Sequence, residues 1–263
     1  MSHSYADHVA WITGGGSGIG RATALELGRR GAKVAVSGRR ADRLAAVVSE
    51  LEAAGAEALA VSCDVRDEQQ IEGAVKAVVD RFGKLDVVLA SAGFSVAGKV
   101  VDLKGEDWRR QLETNVVGAA LTVRHALPHL RKTKGRIGLI GSVASFLCQP
   151  KLAAYSASKF AVRAIGQTLA IELHGSGVSC TTIHPGFVDS EIAKVDNSGH
   201  FDPARNDRRP KNLMWPADQA AEVIVKALSR RKREVVFTAH GKVGAFVGQH
   251  WPGLAHLVMT RGK

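Results

Sequence analysis

A tyrosine and a lysine four positions apart, Tyr155 and Lys159, open a predicted helix and have a spacing that suits chemistry. Residues at this spacing lie on one helix face, so the phenol and the ammonium are neighbours. A nearby positive charge stabilises a phenolate, whose ordinary pKa is about 10, and lets a tyrosine act as acid or base near neutral pH. The pair therefore indicates proton transfer, although this spacing alone also arises by chance in chains of this size.

Two further polar residues stand where a site is expected. Ser142 ends a predicted strand, thirteen positions before Tyr155, at the edge where α/β sheets bind ligands. Asn115 lies within a predicted helix, although asparagine is a poor helix former because its side chain competes for backbone hydrogen bonds. A serine hydrolase pairing Ser142 with His174 or His184 is disfavoured, because no Gly-x-Ser-x-Gly turn surrounds the serine. No His-Glu-x-x-His metal motif is present, and we expect no metal site.

A glycine-rich stretch, Thr-Gly-Gly-Gly-Ser-Gly-Ile-Gly at 13–20, lies between a predicted strand and a predicted helix. Glycines permit a tight turn and the close approach of backbone to ligand. The N-terminus of the following helix adds N–H donors and partial positive charge that suit a pyrophosphate. A purely structural glycine turn remains the alternative, which the strand–turn–helix context weakens.

The second predicted strand ends in Ser37-Gly38-Arg39-Arg40, with no carboxylate before Asp42. An NAD site usually has Asp or Glu here for the ribose 2′-hydroxyl. A guanidinium instead binds a 2′-phosphate through paired donors, which a carboxylate would repel. The sequence therefore predicts NADP(H) over NAD(H), unless these arginines are merely solvated at a helix start.

Strand and helix patterns alternate along the chain. We predict strands at 8–13, 33–37, 56–62, 85–91, 136–142, 178–184 and 234–238, and helices at 19–30, 42–54, 67–82, 106–132, 154–174 and 216–229. Apolar strands joined by crossover helices predict an α/β fold: a single doubly wound (Rossmann) domain with a seven-stranded parallel sheet and helices on both faces. We assign this domain to residues 1–238, with a substrate loop at 187–215, and a C-terminal extension to 239–263.

In order along residues 8–238, the glycine turn, Asn115, Ser142, the Tyr155–Lys159 pair and Pro185-Gly186 resemble the short-chain dehydrogenase/reductase family. The resemblance implies hydride transfer from NADPH to a carbonyl carbon. In the family, Ser142 hydrogen-bonds the carbonyl oxygen and Tyr155 donates the proton. Lys159 orients the nicotinamide ribose and lowers the Tyr155 pKa, while Asn115 holds a water for proton refilling. One departure is Ser91, which stands where the family's Asn-Ala-Gly element has asparagine.

The cofactor-binding residues implied by the resemblance extend over the whole predicted sheet edge. They are Gly14, Gly16, Ser17, Gly18, Ile19, Ser37, Arg39, Arg40, Asp64, Val65, Ala92, Gly93, Tyr155, Lys159, Pro185, Gly186, Val188 and Ser190. The two long helices at 106–132 and 154–174 form the usual dimer interface of the family, so we expect a homodimer or homotetramer.

Composition limits the remaining possibilities. The 263 residues are 45% hydrophobic and 23% charged, which is typical of a globular protein. The net charge of +11 lies entirely in 131–263, which contain 20 basic and 9 acidic residues. The basic excess suits anionic substrates or lipids, or is a solvated basic face without a partner, and no motif supports nucleic-acid binding. Three separated cysteines and the lack of a signal peptide or an 18-residue apolar run favour a cytoplasmic protein.

Two questions stay open from the sequence. The tail at 239–263 combines apolar residues with Trp251, which suits an interface within the protein or a dimer, or peripheral contact with a membrane. We expect the substrate to be a small carbonyl compound or alcohol. It is apolar or lipid-like if its site, rather than the core, contains the apolar candidates Phe94, Phe146, Leu147, Phe187 and Trp215. A non-catalytic NADP-binding sensor or interaction protein is the alternative function.

Overall fold

The computed structural model describes residues 4–207 and 209–260 and contains one seven-stranded parallel sheet in the order β3-β2-β1-β4-β5-β6-β7. The strands are β1 Val9–Thr13, β2 Lys33–Gly38, β3 Ala58–Ser62, β4 Val87–Ala90, β5 Arg136–Ile140, β6 Ser179–His184 and β7 Glu234–Val236. The α-helices are α1 Gly18–Arg29, α2 Ala41–Ala53, α3 Glu68–Phe82, α4 Gly105–Leu112, α5 Gly118–Thr133, α6 Ala153–Glu172, α7 Ala217–Ser229, α8 Ala239–His250 and α9 Pro252–Thr260. The predicted doubly wound α/β fold is confirmed.

The sheet is buried on both faces, which explains its continuous apolar strands. One core lies under α3, α5 and α6 and contains Trp11 and Val88, both fully buried. The other lies under α1, α2 and α7 and contains Ile12 and Leu89. Successive strand residues point to opposite faces, so each strand serves both cores. Strand order reverses between β1 and β4, and that reversal opens the crevice in which doubly wound folds bind ligands.

The helix predicted at 106–132 is interrupted by a wider turn. Residues Glu113–Val117 form a π-helical turn between α4 and α5. Such turns insert one extra residue into a helix and are frequent at functional sites. This turn contains Asn115, whose side chain is bonded away from its own helix, as described below.

The C-terminal tail forms α8 and α9, which the strand and helix patterns did not predict. The small residues of α8 face the protein: a Cβ on Gly248 would lie 2.2 Å from the Phe146 carbonyl oxygen, and one on Gly241 would lie 3.0 Å from Val143. Glycine at these positions allows the helix to pack directly on the segment 143–147. No helix in 4–207 and 209–260 is long and apolar enough to cross a membrane.

Candidate active site

A cleft of about 1680 Å³ runs along the carboxyl edge of the sheet. Its walls include the glycine turn, the ends of β2 to β6, the loop 187–215 and Met259 from α9. The volume exceeds the range of about 300–1,000 Å³ typical of a single small-molecule site, so the cleft has room for two adjacent ligands.

The glycine turn is shaped for close approach of a ligand. Gly14 and Gly18 have φ angles of 66° and 51°, a region that side chains other than glycine disfavour. A Cβ on Gly20 would lie 2.3 Å from the Gly14 carbonyl oxygen. The Ser17 side chain makes no capping bond to α1, so the N–H groups of the first turn are available to an anion. These features fit a dinucleotide pyrophosphate.

Two guanidiniums lie at the corner beyond β2. Arg40 donates to the Ser17 hydroxyl at 3.2 Å, which links this corner to the glycine turn. A second nitrogen of the same group, Nη1, is buried without a hydrogen-bond partner in the described residues. Arg39 is exposed at the rim and donates to the Gly199 carbonyl oxygen at 3.1 Å. A buried guanidinium donor without an acceptor is costly, so the corner fits a phosphate group.

Tyr155 and Lys159 line the same cleft from the first turns of α6. Lys159 is 6% exposed, and its Nζ donates to the Ile140 carbonyl oxygen at 2.8 Å and lies 5.6 Å from the Tyr155 ring centroid. Burial lowers the pKa of Lys159 from 10.5 to about 8. The phenol of Tyr155 and the amine of Lys159 are therefore neighbours, as the spacing predicts.

The pKa of Tyr155 is raised above its ordinary value by burial, while a hydrogen bond with the Ser142 side chain and the Arg209 charge act in the opposite direction. Lys159 was expected to supply that charge. In this structure the charge that lowers the pKa of Tyr155 is that of Arg209, and the Lys159 ammonium donates to the Ile140 carbonyl oxygen. No sequence signal indicated Arg209.

Ser142 is held in place by its own loop. Its hydroxyl accepts a hydrogen bond from the Ala144 N–H at 3.1 Å, and the neighbouring Ser145 hydroxyl donates to the Lys159 carbonyl oxygen at 2.8 Å. Nδ1 of the fully buried His184 lies 3.1 Å from the Ser142 carbonyl oxygen, and Nε2 lies 3.0 Å from Glu234 Oε1. This network connects the serine loop to β6 and β7.

The His184–Glu234 contact also lowers the pKa of Glu234 to about 2, with a further contribution from Arg163, whose Nε donates to the same carboxylate at 2.8 Å. The Arg163 guanidinium lies 4.0 Å from the Phe146 ring centroid. The sequence analysis placed His184 at a strand end and did not predict these contacts, because the partners lie 39 to 50 positions away along the chain.

Asn115 is buried behind the cleft wall and does not line it. Its Oδ1 accepts from the Phe94 N–H at 3.1 Å, and its Nδ2 donates to the Phe94 carbonyl oxygen at 3.0 Å and to the Ser158 hydroxyl at 3.1 Å. The side chain thus ties the loop after β4 to α6, next to Tyr155. These bonds account for a polar residue within a helix and for the π turn around it.

The loop 187–215 folds over the cleft and is held by Arg209. This side chain donates to the Val188 and Ser190 carbonyl oxygens at 2.9 and 2.8 Å and pairs with Asp207 at 2.7 Å. Ser190 lies close to the glycine turn: a Cβ added to Gly18 would lie 3.0 Å from the Cβ of Ser190.

The predicted cofactor residues lie together along the cleft, with one exception. Ser37 is fully buried and accepts a hydrogen bond from Trp11 Nε1 at 3.0 Å, so its side chain belongs to the core rather than to the cleft. Gly38 lines the cleft instead. The cleft also includes residues that the sequence did not indicate, among them Glu191, Phe201, Arg209, His240 and Met259.

The sequence is similar to that of known proteins. A family model described as short chain dehydrogenase matches residues 8–200. An uncharacterized oxidoreductase from Staphylococcus epidermidis is 37% identical over 194 residues, which are 73% of this chain and 83% of the relative.

Solved structures are similar over most of the chain. A short chain dehydrogenase/reductase from Burkholderia phymatum in complex with NAD has a TM-score of 0.81 at 29% identity, covering 88% of this chain and 89% of that one. A short chain dehydrogenase from Burkholderia cenocepacia J2315 in complex with NADP has a TM-score of 0.77 at 30% identity, covering 87% and 93%.

Proposed function

The chain belongs to the short-chain dehydrogenase family and is an NAD(P)-dependent oxidoreductase acting on CH–OH and C=O groups, and we propose that NADP(H) is its cofactor and Tyr155 its general acid and base. The observation that carries the cofactor choice is the Arg39–Arg40 corner, where a buried guanidinium nitrogen has no acceptor among the described residues. A 2′-phosphate supplies that acceptor, whereas the hydroxyl of NAD(H) brings no charge.

When bound, the nicotinamide supplies or accepts the hydride. For reduction, the Ser142 hydroxyl donates a hydrogen bond to the substrate carbonyl oxygen and stabilises its developing charge. Tyr155 gives its phenolic proton to the same oxygen, and the Arg209 charge stabilises the phenolate that results. Lys159, whose Nζ lies 5.6 Å from the Tyr155 ring centroid, would hold the nicotinamide ribose. In oxidation the proton moves back to Tyr155.

Asn115 acts in this proposal as a positioning residue. Both polar atoms of its side chain are engaged with Phe94 and Ser158. It therefore fixes the cleft wall next to α6.

Replacing Tyr155 by phenylalanine tests the general acid. The variant keeps the ring and loses only the hydroxyl, so we expect turnover to fall at least about 10²–10⁴-fold, with the Kd for NADPH changed less than about threefold. Both are measured on protein whose thermal unfolding matches wild type. Turnover near the wild-type rate refutes the assignment.

The cofactor choice is tested by the ratio of kcat/KM for NADPH over NADH. We expect the wild type to favour NADPH, and Arg39→Asp to reverse the preference because its carboxylate repels the 2′-phosphate. A wild-type preference for NADH contradicts the proposal.

We also propose that the substrate is an apolar carbonyl compound or alcohol. Beyond Tyr155 the cleft is bounded by Val143, Leu147, Phe187, Leu213 and Met259. Apolar walls with a few polar groups are typical of a site that binds apolar substrates. A series of ketones of increasing chain length, assayed by NADPH consumption, should show kcat/KM rising with length. A preference for short charged ketones contradicts this.

Self-association is proposed through α5 and α6. Val117, Phe160 and Ile171 are exposed on or beside these helices, by 46%, 41% and 76%. Burying such side chains against a second copy is favourable. Light scattering coupled to size exclusion should give a dimer or tetramer, and Phe160→Glu should shift it toward monomer; a monomeric wild type contradicts the proposal.

The tail 239–263 is proposed as an extension of the 1–238 domain that meets an anionic lipid surface. Its outer face exposes six large apolar side chains: Val243, Phe246, Trp251, Leu254, Leu257 and Val258. Residues 239–260 contain no carboxylate, and the chain carries +11, so a second copy would bring like charge whereas anionic lipid brings the opposite charge.

Co-sedimentation with phosphatidylglycerol vesicles tests this contact. We expect full-length protein to bind them in preference to phosphatidylcholine vesicles, and the double variant Phe246→Ser/Leu257→Ser to lose binding. Equal sedimentation of wild type and variant contradicts the lipid contact, as does self-association lost in the same variant without any vesicle binding.

A further inference from the structure

Arg43 lies next to the Arg39–Arg40 corner, and the loop 187–215 provides at least one acceptor to each of these three guanidiniums. Glu191 Oε2 lies 2.6 Å from Arg40 Nη2, and its Oε1 lies 3.8 Å from Arg43 Nη2. Gly199 accepts the hydrogen bond from Arg39 described above. The loop therefore reaches past the glycine turn to the end of the cleft where a 2′-phosphate is expected.

A second contact from the same loop reinforces this position. The Phe201 ring lies against Arg40, with 5.1 Å between the guanidinium carbon and the ring centroid. Glu191 is about three-quarters buried, with 25% of its side chain exposed. Its carboxylate thus faces the arginines in a partly desolvated setting, where charge–charge contacts are stronger than in water.

Not every guanidinium donor at this corner has an acceptor in the described residues. Arg40 Nη1 is buried and has no partner in the described residues, while Nη2 is shared between Ser17 and Glu191. A phosphate dianion entering the corner would take these donors, and it would stand next to the Glu191 carboxylate. The same arginines cannot serve both anions equally well, because a carboxylate and a phosphate repel each other.

We propose that Glu191 is a specificity-determining residue: an internal carboxylate that competes with the 2′-phosphate of the cofactor for Arg40 and Arg43. The inference rests on the proposed use of NADP(H). A dinucleotide without this phosphate leaves the Glu191 contacts in place, whereas the phosphorylated one displaces the carboxylate. Glu191 therefore lowers the ratio of NADP(H) affinity to NAD(H) affinity below the value that the arginines alone would give.

Glu191 belongs to a loop that also contacts the catalytic end of the cleft. Ser190, the preceding residue, is held by Arg209, whose charge favours the Tyr155 phenolate.

Binding measurements that need no turnover test the proposal. The ligands are NADP⁺, NAD⁺ and the adenosine fragments 2′,5′-ADP and 5′-AMP, titrated by calorimetry against wild type, Glu191→Gln and Asp189→Asn. Asp189 is the matched control, because it is an exposed carboxylate on the same loop that does not line the cleft. All three proteins differ by at most one charge.

We expect Glu191→Gln to tighten 2′,5′-ADP and NADP⁺ about tenfold, by removing the competing charge, and to change 5′-AMP and NAD⁺ less than about twofold. Asp189→Asn should change none of them by more than about twofold. In an Arg40→Gln background the gain from Glu191→Gln should disappear, because the effect acts through that guanidinium.

Two results overturn the inference: unchanged or weaker binding of the 2′-phosphorylated ligands to Glu191→Gln, or an equal gain in Asp189→Asn. The proposed cofactor is judged separately, from the wild type alone. If wild type binds NAD⁺ more tightly than NADP⁺ while Glu191→Gln still gains affinity for 2′,5′-ADP, the cofactor proposal fails and the role of Glu191 stands.

Discussion

Replacing Lys159 by methionine is expected to stabilise the chain without cofactor while removing its activity. The ammonium is 6% exposed, and its pKa is lowered from 10.5 to about 8 by burial alone. No carboxylate forms an ion pair with it within residues 4–207 and 209–260. The difference between the two pKa values corresponds to about 3 kcal/mol by which folding disfavours the charged form.

Methionine keeps most of the apolar stem and removes the charge. The variant loses the charged hydrogen bond to the Ile140 carbonyl oxygen, which contributes about 2 kcal/mol. The difference leaves Lys159→Met more stable than wild type by about 1 kcal/mol at pH 7. Turnover should fall at least about 10²-fold, because the ammonium that orients the nicotinamide ribose in the proposed mechanism is lost.

The pH dependence of the stability difference between Lys159→Met and wild type distinguishes the cost of burying the charge from other effects of the substitution. The folded pKa of Lys159 lies below the unfolded one, so between pH 8 and 10.5 the unfolded chain binds more protons. The free energy of unfolding contributed by this residue therefore rises with pH across that window. The stability advantage of the variant should shrink from pH 7 to pH 10 and reverse in sign once the lysine is neutral in both states.

Urea denaturation at pH 7 and pH 10, without cofactor, measures both effects. Lys76→Met is the control, because Lys76 is an exposed lysine on α3 paired with Asp80 and should show no such change with pH. A loss of more than about 1 kcal/mol for Lys159→Met at pH 7 would refute the reasoning. So would a difference from wild type that does not vary with pH.

Two further predictions concern stability. The pKa of Glu234, lowered to about 2 chiefly by His184, means that its contribution is present above pH 4.5 and is lost as pH falls through 2. Glu234→Gln should therefore cost about 1–2 kcal/mol at pH 7, discounted for partial exposure, and less than about 0.5 kcal/mol at pH 2 in urea denaturation; an equal cost at both pH values contradicts this. Gly20→Ala should destabilise by more than about 2 kcal/mol and weaken NADPH binding, because its Cβ would lie 2.3 Å from the Gly14 carbonyl oxygen. Gly73→Ala, in open space on α3, should instead stabilise by about 0.5–1 kcal/mol by thermal unfolding; similar effects of the two substitutions contradict the steric argument.

Local pattern in the sequence was enough for the sheet, most helices and the positions of the glycine turn and the Tyr155–Lys159 pair. Apolar periodicity reports burial, and burial on both faces is what a parallel sheet between helices requires. Residues four apart on a helix are neighbours whatever the rest of the fold does. These features depend on contacts within a few residues, so the chain determines them by itself.

The tertiary structure alone decided what depends on distant contacts. A π turn at Glu113–Val117 interrupts the helix predicted at 106–132, where the Asn115 side chain bonds to Phe94 and Ser158. Ser37 turns into the core because side chains alternate across a strand, and its register places it beside Trp11.

The same holds for the charges of the site. Glu191 lies 151 positions from Arg40 along the chain, and Arg209 lies 54 positions from Tyr155. No spacing rule relates such residues, since only the folding of the loop 187–215 over the cleft brings them together. The sequence thus determined which groups are able to do chemistry, and the packing of that loop determined which charges surround them.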